Sequence, residues 1–146
     1  MDNSSLFDEK TFYQTFLRDL NNCKSEVIIE SPFITTKRME TFDRIFQNLI
    51  NRGVKIYIIT RDPLEHDKGY ELQSEDAIQW CEEVGIQVLL CSGNHHRKLA
   101  IIDREILWEG SLNILSQHNS REIMRRIDSE KATIQIFEFL NFGKFT

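Results

Sequence analysis

The spacing of apolar residues along the chain predicts an alternation of helices and strands. Between Thr36 and Arg52 the apolar side chains recur every three or four positions, which is the period of one face of an amphipathic helix. Gly53 follows as a typical helix end, and Ser74 is a suitable N-terminal cap for a later helix. The predicted helices are residues 9–22, 36–52, 74–84 and 130–141.

Short apolar runs between these helices predict strands. Runs of Val, Ile and Leu that end at Pro, Gly or Asp are typical of strands buried in a sheet. Two of the runs flank the turn Asp103–Glu105 and predict a hairpin, whereas residues 64–73 predict a loop. The predicted strands are residues 26–30, 54–60, 86–91, 96–102, 106–114 and 122–127.

The order of these elements predicts the fold class. Strand–helix–strand repeats followed by a hairpin are typical of an α/β fold in which a mixed β-sheet is flanked by helices. No linker or repeat interrupts the chain, so we expect a single domain over residues 1–146. The side chains expected to face the core include Phe12, Phe42, Phe46, Phe137, Ala132, Ile136, Phe139 and Leu140.

Composition is that of an ordinary soluble globular protein. Apolar residues make up 40% and charged residues 28%, and no apolar run approaches the roughly 18 residues of a membrane-spanning helix. The polar residues 1–5 lack the pattern of a signal peptide, so we expect a cytoplasmic protein that does not bind a membrane. Three cysteines, an odd number with apolar neighbours, favour free buried thiols at Cys23, Cys81 and Cys91.

The most informative motif lies between residues 96 and 113. Its pattern, HxKxxxxD followed by GSxN, comprises His96, Lys98, Asp103, Gly110, Ser111 and Asn113. Alternate side chains of a strand share a face, so we expect His96 and Lys98 to point the same way. The same parity predicts that Ser111 and Asn113 join them around one pocket. Gly110 has no side chain, so a bulky ligand could approach the backbone there.

These residue types suit attack on a phosphodiester. A neutral imidazole at His96 can attack phosphorus and form a covalent intermediate, and an ordinary pKa of about 6.5 suits acid–base work. Lys98 would supply positive charge to the phosphate oxygens, while Ser111 and Asn113 would supply neutral donors. Glu122 is the candidate that fixes the tautomer of the imidazole.

This motif resembles the HKD motif of the phospholipase D superfamily, and the match is complete at all six positions. The resemblance implies a histidine nucleophile at His96, phosphate binding by Lys98 and Asn113, and an orienting acid at Glu122. It implies a structural role for Asp103. It also implies that no metal ion or other cofactor is needed. The pattern of elements over residues 25–140 supports the same resemblance.

The resemblance implies that two histidines share one active site, yet this chain has one full motif. His66, Asp67 and Lys68 imitate its beginning, but Gln73 replaces the aspartate and no GSxN follows, so we interpret this segment as a surface loop. A second His96 would then come from a second copy of the chain, in a homodimer formed through the HKD face. Single-motif nucleases of the superfamily are similar.

Charge is unevenly distributed around the motif. The net charge of −5 argues mildly against a general nucleic-acid coat, but basic residues concentrate after residue 96. We expect Arg97, Arg121 and Arg125 to contact a phosphate backbone, although a solvated charged surface is an equal alternative for Arg125 and Arg126. A zinc site at Cys91, His95 and His96 is disfavoured because a fourth ligand and a CxxC pair are missing.

Three other residues have alternative interpretations. His95 points away from His96 by parity, which favours a structural role. His118 lies in a predicted loop, where a solvated position is favoured over contact with substrate. Trp108 could line the pocket or a dimer seam, and packing in the core is an equal alternative.

The leading hypothesis is a metal-independent phosphodiesterase, most simply an endonuclease that cleaves DNA as a homodimer. The chain also resembles superfamily domains associated with helicases, ATPases and restriction systems, which suggests a helicase or ATPase partner. One alternative is a lipid phosphodiesterase, which usually carries a membrane anchor or two motifs. Another is a non-catalytic module for nucleic-acid binding and dimerisation, which the complete motif disfavours.

Overall fold

Seven strands and four helices occur within residues 3–116 and 119–146, which are the residues that the computed structural model describes. Met1 and Asp2 of the polar N-terminal segment, and Gln117 and His118 of the predicted loop, lie outside these residues. The strands are β1 Ser4–Asp8, β2 Glu26–Glu30, β3 Lys55–Arg61, β4 Gln87–Cys91, β5 Leu99–Ile102, β6 Ile106–Gly110 and β7 Ile123–Asp128. The helices are α1 Phe12–Asn21, α2 Thr36–Asn51, α3 Lys68–Val84 and α4 Glu130–Phe139.

The strands form one mixed sheet in the order β1-β7-β6-β5-β2-β3-β4. Strands β2, β3 and β4 are parallel and are joined by α2 and α3, whereas β5, β6, β7 and β1 pair in antiparallel fashion. The predicted mixed α/β fold is therefore confirmed. The antiparallel half brings the start of β5, the end of β6 and the start of β7 to one edge of the sheet.

Alternate strand residues pack against opposite faces of the sheet. On one face, Val27 and Ile29 of β2 join a core with Phe12, Phe42 and Phe46 from α1 and α2. On the other face, Ile28 packs in a smaller core with Phe137 of α4 and with Phe142 near the C-terminus. Two buried faces explain why the central strands are continuous apolar runs. The core positions predicted for Phe12, Phe42, Phe46 and Phe137 are confirmed.

Helix α3 begins six residues earlier than the sequence predicts. Asp67 caps it, because its carboxylate accepts a hydrogen bond from the backbone N–H of Tyr70 at 3.2 Å. Ser74 is not a cap: it is 1% exposed within the helix and its hydroxyl donates to the carbonyl of Ile34. The predicted loop at 64–73 is thus wrong over most of its length, since the Asp67 cap outweighs the polar composition of the first helical turns.

The hairpin strands are shorter than predicted, and one further strand has no counterpart among the predicted elements. Strand β5 starts at Leu99 instead of His96, and β6 ends at Gly110 instead of Ile114. The predicted turn at Asp103–Glu105 is confirmed, and Asp103 and Arg104 both have positive φ. Strand β1 has no clear alternation and forms because it pairs with β7.

Two side chains differ from their expected environments. Phe139, predicted to face the core, is 85% exposed, because Thr133 and Phe137 supply the buried positions of α4. Trp108 is fully buried and its indole N–H donates to Asp19 at 2.8 Å, so it packs in the core. Arg126 also pairs with Asp19, which removes it from the basic surface.

No helix among the described residues is both long and apolar enough to cross a membrane.

Candidate active site

The motif residues lie where three adjacent antiparallel strands begin or end. His96, Arg97 and Lys98 lead into β5, Gly110 ends β6, and residues 111–113 follow it directly. Glu122 immediately precedes β7. These positions share one edge of the sheet because β6 is antiparallel to both neighbours. Tertiary pairing, rather than a single strand face, therefore brings the motif together.

His96 and Lys98 are in direct contact. The Lys98 ammonium (Nζ) lies 2.9 Å from Nδ1 of His96 and 3.5 Å from its Nε2. The ammonium also donates to the carbonyl oxygen of His96 at 2.9 Å. The predicted proximity of the two side chains is present, although both residues precede the strand. His96 is exposed, whereas Lys98 is half-buried.

The pKa values of both side chains are shifted from their ordinary values. The positive charge of Lys98, followed by partial burial and the charge of Arg61, lowers the pKa of His96 below 6.5. Burial lowers the pKa of Lys98, against an opposing effect from the negative charge of Glu122. A lowered imidazole pKa keeps His96 neutral near pH 7. The neutral form is the one that can act as a nucleophile.

The charge of Lys98 gives a testable pH effect. The Lys98→Met substitution should raise the pKa of His96, because a neighbouring cation disfavours protonation of the imidazole and methionine removes that cation. The measurement is an NMR titration of the His96 ring in wild type and variant. Arg125→Met is the matched control, since it removes a cation that lines the same groove but does not contribute to the pKa shift of His96. An unchanged or lower pKa in Lys98→Met would contradict the assignment.

Asn113 and Glu122 line a second, smaller cavity of about 80 Å³ next to the motif. The side-chain oxygen Oδ1 of Asn113 is buried there without a hydrogen-bond partner. Glu122 accepts a hydrogen bond from the hydroxyl of Ser120 at 2.8 Å, and its backbone N–H donates to Glu9. Within the described residues no hydrogen bond joins Glu122 to His96. Its electrostatic effect on Lys98 places it near the site.

Ser111 and Gly110 hold β7 against β6. The hydroxyl of Ser111 accepts the N–H of Ile123 at 3.0 Å and donates to the Ile123 carbonyl at 3.4 Å. A phosphate contact by Ser111 would therefore have to replace one of these hydrogen bonds. A Cβ on Gly110 would collide with the Ile123 carbonyl and lie 2.9 Å from Cα of Met124. Strand β7 occupies the space on this side of Gly110, while the glycine also lines the groove beside His96 and Lys98. The approach of a ligand to this backbone stays a prediction.

Asp103 joins the hairpin turn to the start of β2. Its carboxylate accepts hydrogen bonds from the backbone N–H groups of Lys24, Ser25 and Glu26 at 2.7–3.1 Å. Burial opposes the shift, yet these hydrogen bonds lower the pKa of Asp103 below 3.8. The motif aspartate thus stabilises the turn at the far end of β5, away from His96.

The predicted nucleic-acid contacts have different environments. Arg97 forms a bidentate ion pair with Glu30, at 2.8 and 3.0 Å, and Glu30 is fully buried. Two of the five N–H donors of Arg97 are therefore used within the protein, while half of its side chain stays exposed. Arg121 and Arg125 are exposed, and Arg125 donates one hydrogen bond to Ser4. The latter two keep free donors on the surface beside the site.

His66, His95 and the cysteines have other environments. His95 approaches Glu30 at 3.4 Å, and His66 stacks on Phe33 with ring centroids 4.8 Å apart. Cys23 and Cys81 are buried free thiols, and Cys91 is half-buried. Among residues 3–116 and 119–146, no group of three or more His, Cys, Asp or Glu side chains is arranged to hold a metal ion.

Three residues of the smaller cavity have no motif in the sequence. Glu9, Tyr13 and Arg38 come from the β1–α1 connection, α1 and α2, more than 50 residues before His96. Arg38 stacks on Tyr13, with its guanidinium carbon 4.0 Å from the ring centroid. The sequence contains no spacing signal for them, because only the tertiary fold brings α1 and α2 beside Asn113.

Comparison with known proteins agrees with this geometry. The family model described as "Cardiolipin synthase, PLD-like domain" matches residues 16–141. The chain belongs to this PLD-like family. Phospholipase D B of Dictyostelium discoideum is 29% identical in a match that covers 71% of this chain. The chain spans only about a tenth of the length of that relative, since the match covers 10% of it.

Solved structures show the same PLD-like fold. The phospholipase D family member Nuc from Salmonella typhimurium superposes with a TM-score of 0.73 at 19% sequence identity. NucT from Helicobacter pylori superposes with a TM-score of 0.68 at 21% identity. Both matches cover 93% of this chain and 91% of the other. The shared fold therefore extends over nearly the whole length of this chain and of both solved structures.

Proposed function

We propose that this PLD-like domain is a metal-independent phosphodiesterase that cleaves nucleic acid, with DNA as the favoured substrate. The observation that supports it most directly is the contact between His96 and Lys98, beside an unpaired Asn113 amide and the Glu122 carboxylate. A nucleophile, a cation and a neutral polar group thus converge at one sheet edge. This is the set that attack on a phosphodiester needs.

In the proposed reaction, an imidazole nitrogen of His96 attacks phosphorus and the bond to the leaving oxygen breaks, which gives a phosphohistidine. Water then cleaves the P–N bond and regenerates the imidazole. Nδ1 cannot attack while its lone pair accepts a hydrogen bond from Lys98. The oxygens of a bound phosphate would attract the Lys98 ammonium. The ammonium would then leave the imidazole, and Nδ1 of His96 could attack. Asn113 would add a neutral contact, and Glu122 would orient the imidazole by hydrogen bonding.

The leaving oxygen needs a proton, which we assign to His96 of a second copy. A groove beside His96 and Lys98 supports a homodimer through this face. Its walls include three exposed apolar side chains, Leu6, Ile123 and Phe139, which are 57%, 55% and 85% exposed. Exposed apolar surface beside an incomplete site suits contact with an identical surface across a two-fold axis.

The dimer proposal predicts the effect of a charge in this groove. Phe139→Asp should shift the protein from dimer to monomer and lower activity most at low protein concentration, because a carboxylate would be buried at the interface. Analytical ultracentrifugation and concentration-dependent rates measure both effects. Leu72→Asp is the matched control, since Leu72 is 62% exposed on α3 and does not line the groove. A monomeric wild type, or a Phe139→Asp variant with full activity, would contradict the proposal.

Two features favour nucleic acid over a lipid substrate. Arg121 and Arg125 have exposed guanidinium groups near the site, where they can contact a phosphate backbone. The likeness to Nuc and NucT extends over nine-tenths of all three chains. The family description nevertheless names a lipid enzyme, so the decisive experiment includes a lipid arm. A helicase or ATPase partner stays a prediction.

The experiment is a cleavage assay in excess EDTA with three substrates: plasmid DNA, a single-stranded DNA oligonucleotide, and phosphatidylglycerol vesicles. We expect cleavage of DNA and no release of headgroup. Cleavage of the vesicles alone would favour the lipid phosphodiesterase. DNA binding without any cleavage would favour the non-catalytic module. Activity that EDTA abolishes would contradict the metal-independent mechanism.

A further inference from the structure

Three buried polar atoms without hydrogen-bond partners line the cavity beside Asn113. They are Nε of Arg38, Oδ1 of Asn113 and Oγ of Ser116, and Ser116 is only 2% exposed. In the described part of the chain, only two further atoms of this kind occur, on His66 and His95. A buried polar group without a partner destabilises a folded protein. Their concentration in one cavity of about 80 Å³ points to a binding position for an outside group.

Arg38 is held in a fixed orientation but has no anion to pair with. Its guanidinium lies over the ring of Tyr13, and the Tyr13 hydroxyl donates to the carbonyl of Ile114 at 2.8 Å. Within the described residues no carboxylate forms an ion pair with Arg38. Three other arginines do have such partners: Arg97 with Glu30, Arg104 with Glu26, and Arg126 with Asp19. The buried Arg61 instead donates to the backbone carbonyl of His95. Arg38 differs from them in facing the cavity unpaired.

The two acids of the cavity already have donors. Glu9 accepts the backbone N–H of Glu122, and that hydrogen bond lowers the pKa of Glu9. Glu122 accepts the hydroxyl of Ser120. The unpaired groups that remain are the Arg38 guanidinium, the Ser116 hydroxyl and the Asn113 amide, which presents donors after a half-turn. A donor-rich set with an oriented guanidinium suits a phosphate group.

We propose that Arg38, assisted by Ser116, binds a phosphate adjacent to the scissile one in a nucleic-acid strand. The inference rests on the proposed function, because Asn113 lines this cavity and is also the proposed ligand of the scissile phosphate. A polynucleotide carries a phosphate at every linkage, whereas a simple phosphodiester has none beside the one that is cleaved. Arg38 is therefore a specificity residue that favours strands over isolated diesters.

The test compares Arg38→Gln with wild type on matched DNA oligonucleotides. One substrate has phosphates throughout, and two others carry an uncharged methylphosphonate on the 5′ or the 3′ side of the single cleavable linkage. Arg38→Gln should lower kcat/KM for the all-phosphate strand by roughly 10- to 100-fold, the range for a hydrogen-bonded ion pair. On one of the two methylphosphonate strands, the wild-type kcat/KM should be lower than on the all-phosphate strand by a similar factor. On that strand Arg38→Gln should add little further loss.

The control variant is Arg44→Gln, which removes a cation from an exposed position on the same helix and should leave every rate unchanged. Arg38→Lys should give an intermediate loss, because it keeps the charge without the planar fork. Should Arg38→Gln fail to fold, Arg38→Lys and Ser116→Ala must show the same dependence on the neighbouring phosphate.

Equal losses on all three strands would assign Arg38 a structural role and overturn the inference, as would no loss at all. Failure of the proposed function has a different signature. In that case the wild type would not cleave the all-phosphate oligonucleotide, whether or not it hydrolyses bis(p-nitrophenyl) phosphate, and the inference would fall with its premise.

Discussion

Replacing His96 by alanine should lower turnover of a DNA substrate by about 10⁴-fold or more, because no other group in the site can form the covalent intermediate. The side chain is exposed, and its contacts are with Lys98 alone among the described residues. Its removal should therefore leave the melting temperature and the dimer unchanged. Rates are measured in excess EDTA, with thermal unfolding and sedimentation on the same samples.

The matched control for this prediction is His66→Gln. His66 belongs to the segment that imitates the start of the motif, but it stacks on Phe33, and within the described residues no hydrogen bond joins it to His96 or Lys98. Turnover should be close to wild type. If His96→Ala retained wild-type cleavage, the nucleophile assignment would be wrong. Equal loss in both variants would show that the substitution acts through stability instead.

A phosphohistidine should also be trapped during turnover. Phosphohistidine is labile in acid, unlike phosphoserine, so the reaction must be stopped with alkali. Rapid mixing with labelled substrate followed by an alkaline quench should retain label on the protein. The label should be absent in His96→Ala. Label on any other residue would contradict the mechanism even if the alanine variant were inactive.

The second large effect is expected from Gly110→Ala, and it is an effect on stability. A Cβ at this position would meet the Ile123 carbonyl, and it would lie 2.8 Å from Sδ and 2.9 Å from Cα of Met124. Backbone atoms of β7 cannot rotate away as a flexible side chain can, so β6 and β7 must separate. We expect a loss of about 3 kcal/mol in the free energy of unfolding.

That loss corresponds to a decrease of roughly 10 °C in melting temperature for a domain of this size. Urea unfolding followed by circular dichroism measures the free energy directly. Gly69→Ala is the control, because Gly69 lies in α3 and a Cβ there would be 3.9 Å from its nearest neighbour, Oδ1 of Asp67. It should be neutral or stabilising by up to about 1 kcal/mol. A Gly110→Ala variant as stable as wild type would contradict the close approach of β7.

The separation of β6 from β7 would also affect the site. Ser111 hydrogen-bonds Ile123, and Glu122 precedes β7 directly, so both would move with the strand. Activity of Gly110→Ala should fall even at temperatures where the protein remains folded. We therefore expect the motif glycine to affect activity through the pairing of β6 with β7.

The apolar pattern predicts most of the framework because that framework depends on local spacing. Helix α2 and strand β2 match their predicted positions, since each has a regular apolar face and a clear stop signal. The predicted start of α3 is wrong because the polar residues after Asp67 have no apolar period, and the capping contact alone sets the boundary. The sequence pattern does not predict strand β1, because its partner, β7, is more than 100 residues away.

The sequence by itself determined the family, the mixed α/β fold and the residue types of the motif, because residue types at fixed spacing are local information. The tertiary structure decided which side chains surround that motif. It paired Arg97 with Glu30, placed β7 against Gly110 and brought Arg38 and Tyr13 beside Asn113. These contacts join residues far apart in the chain. Only the packing of α1 and α2 on the sheet, and the antiparallel pairing of β5, β6 and β7, could create them.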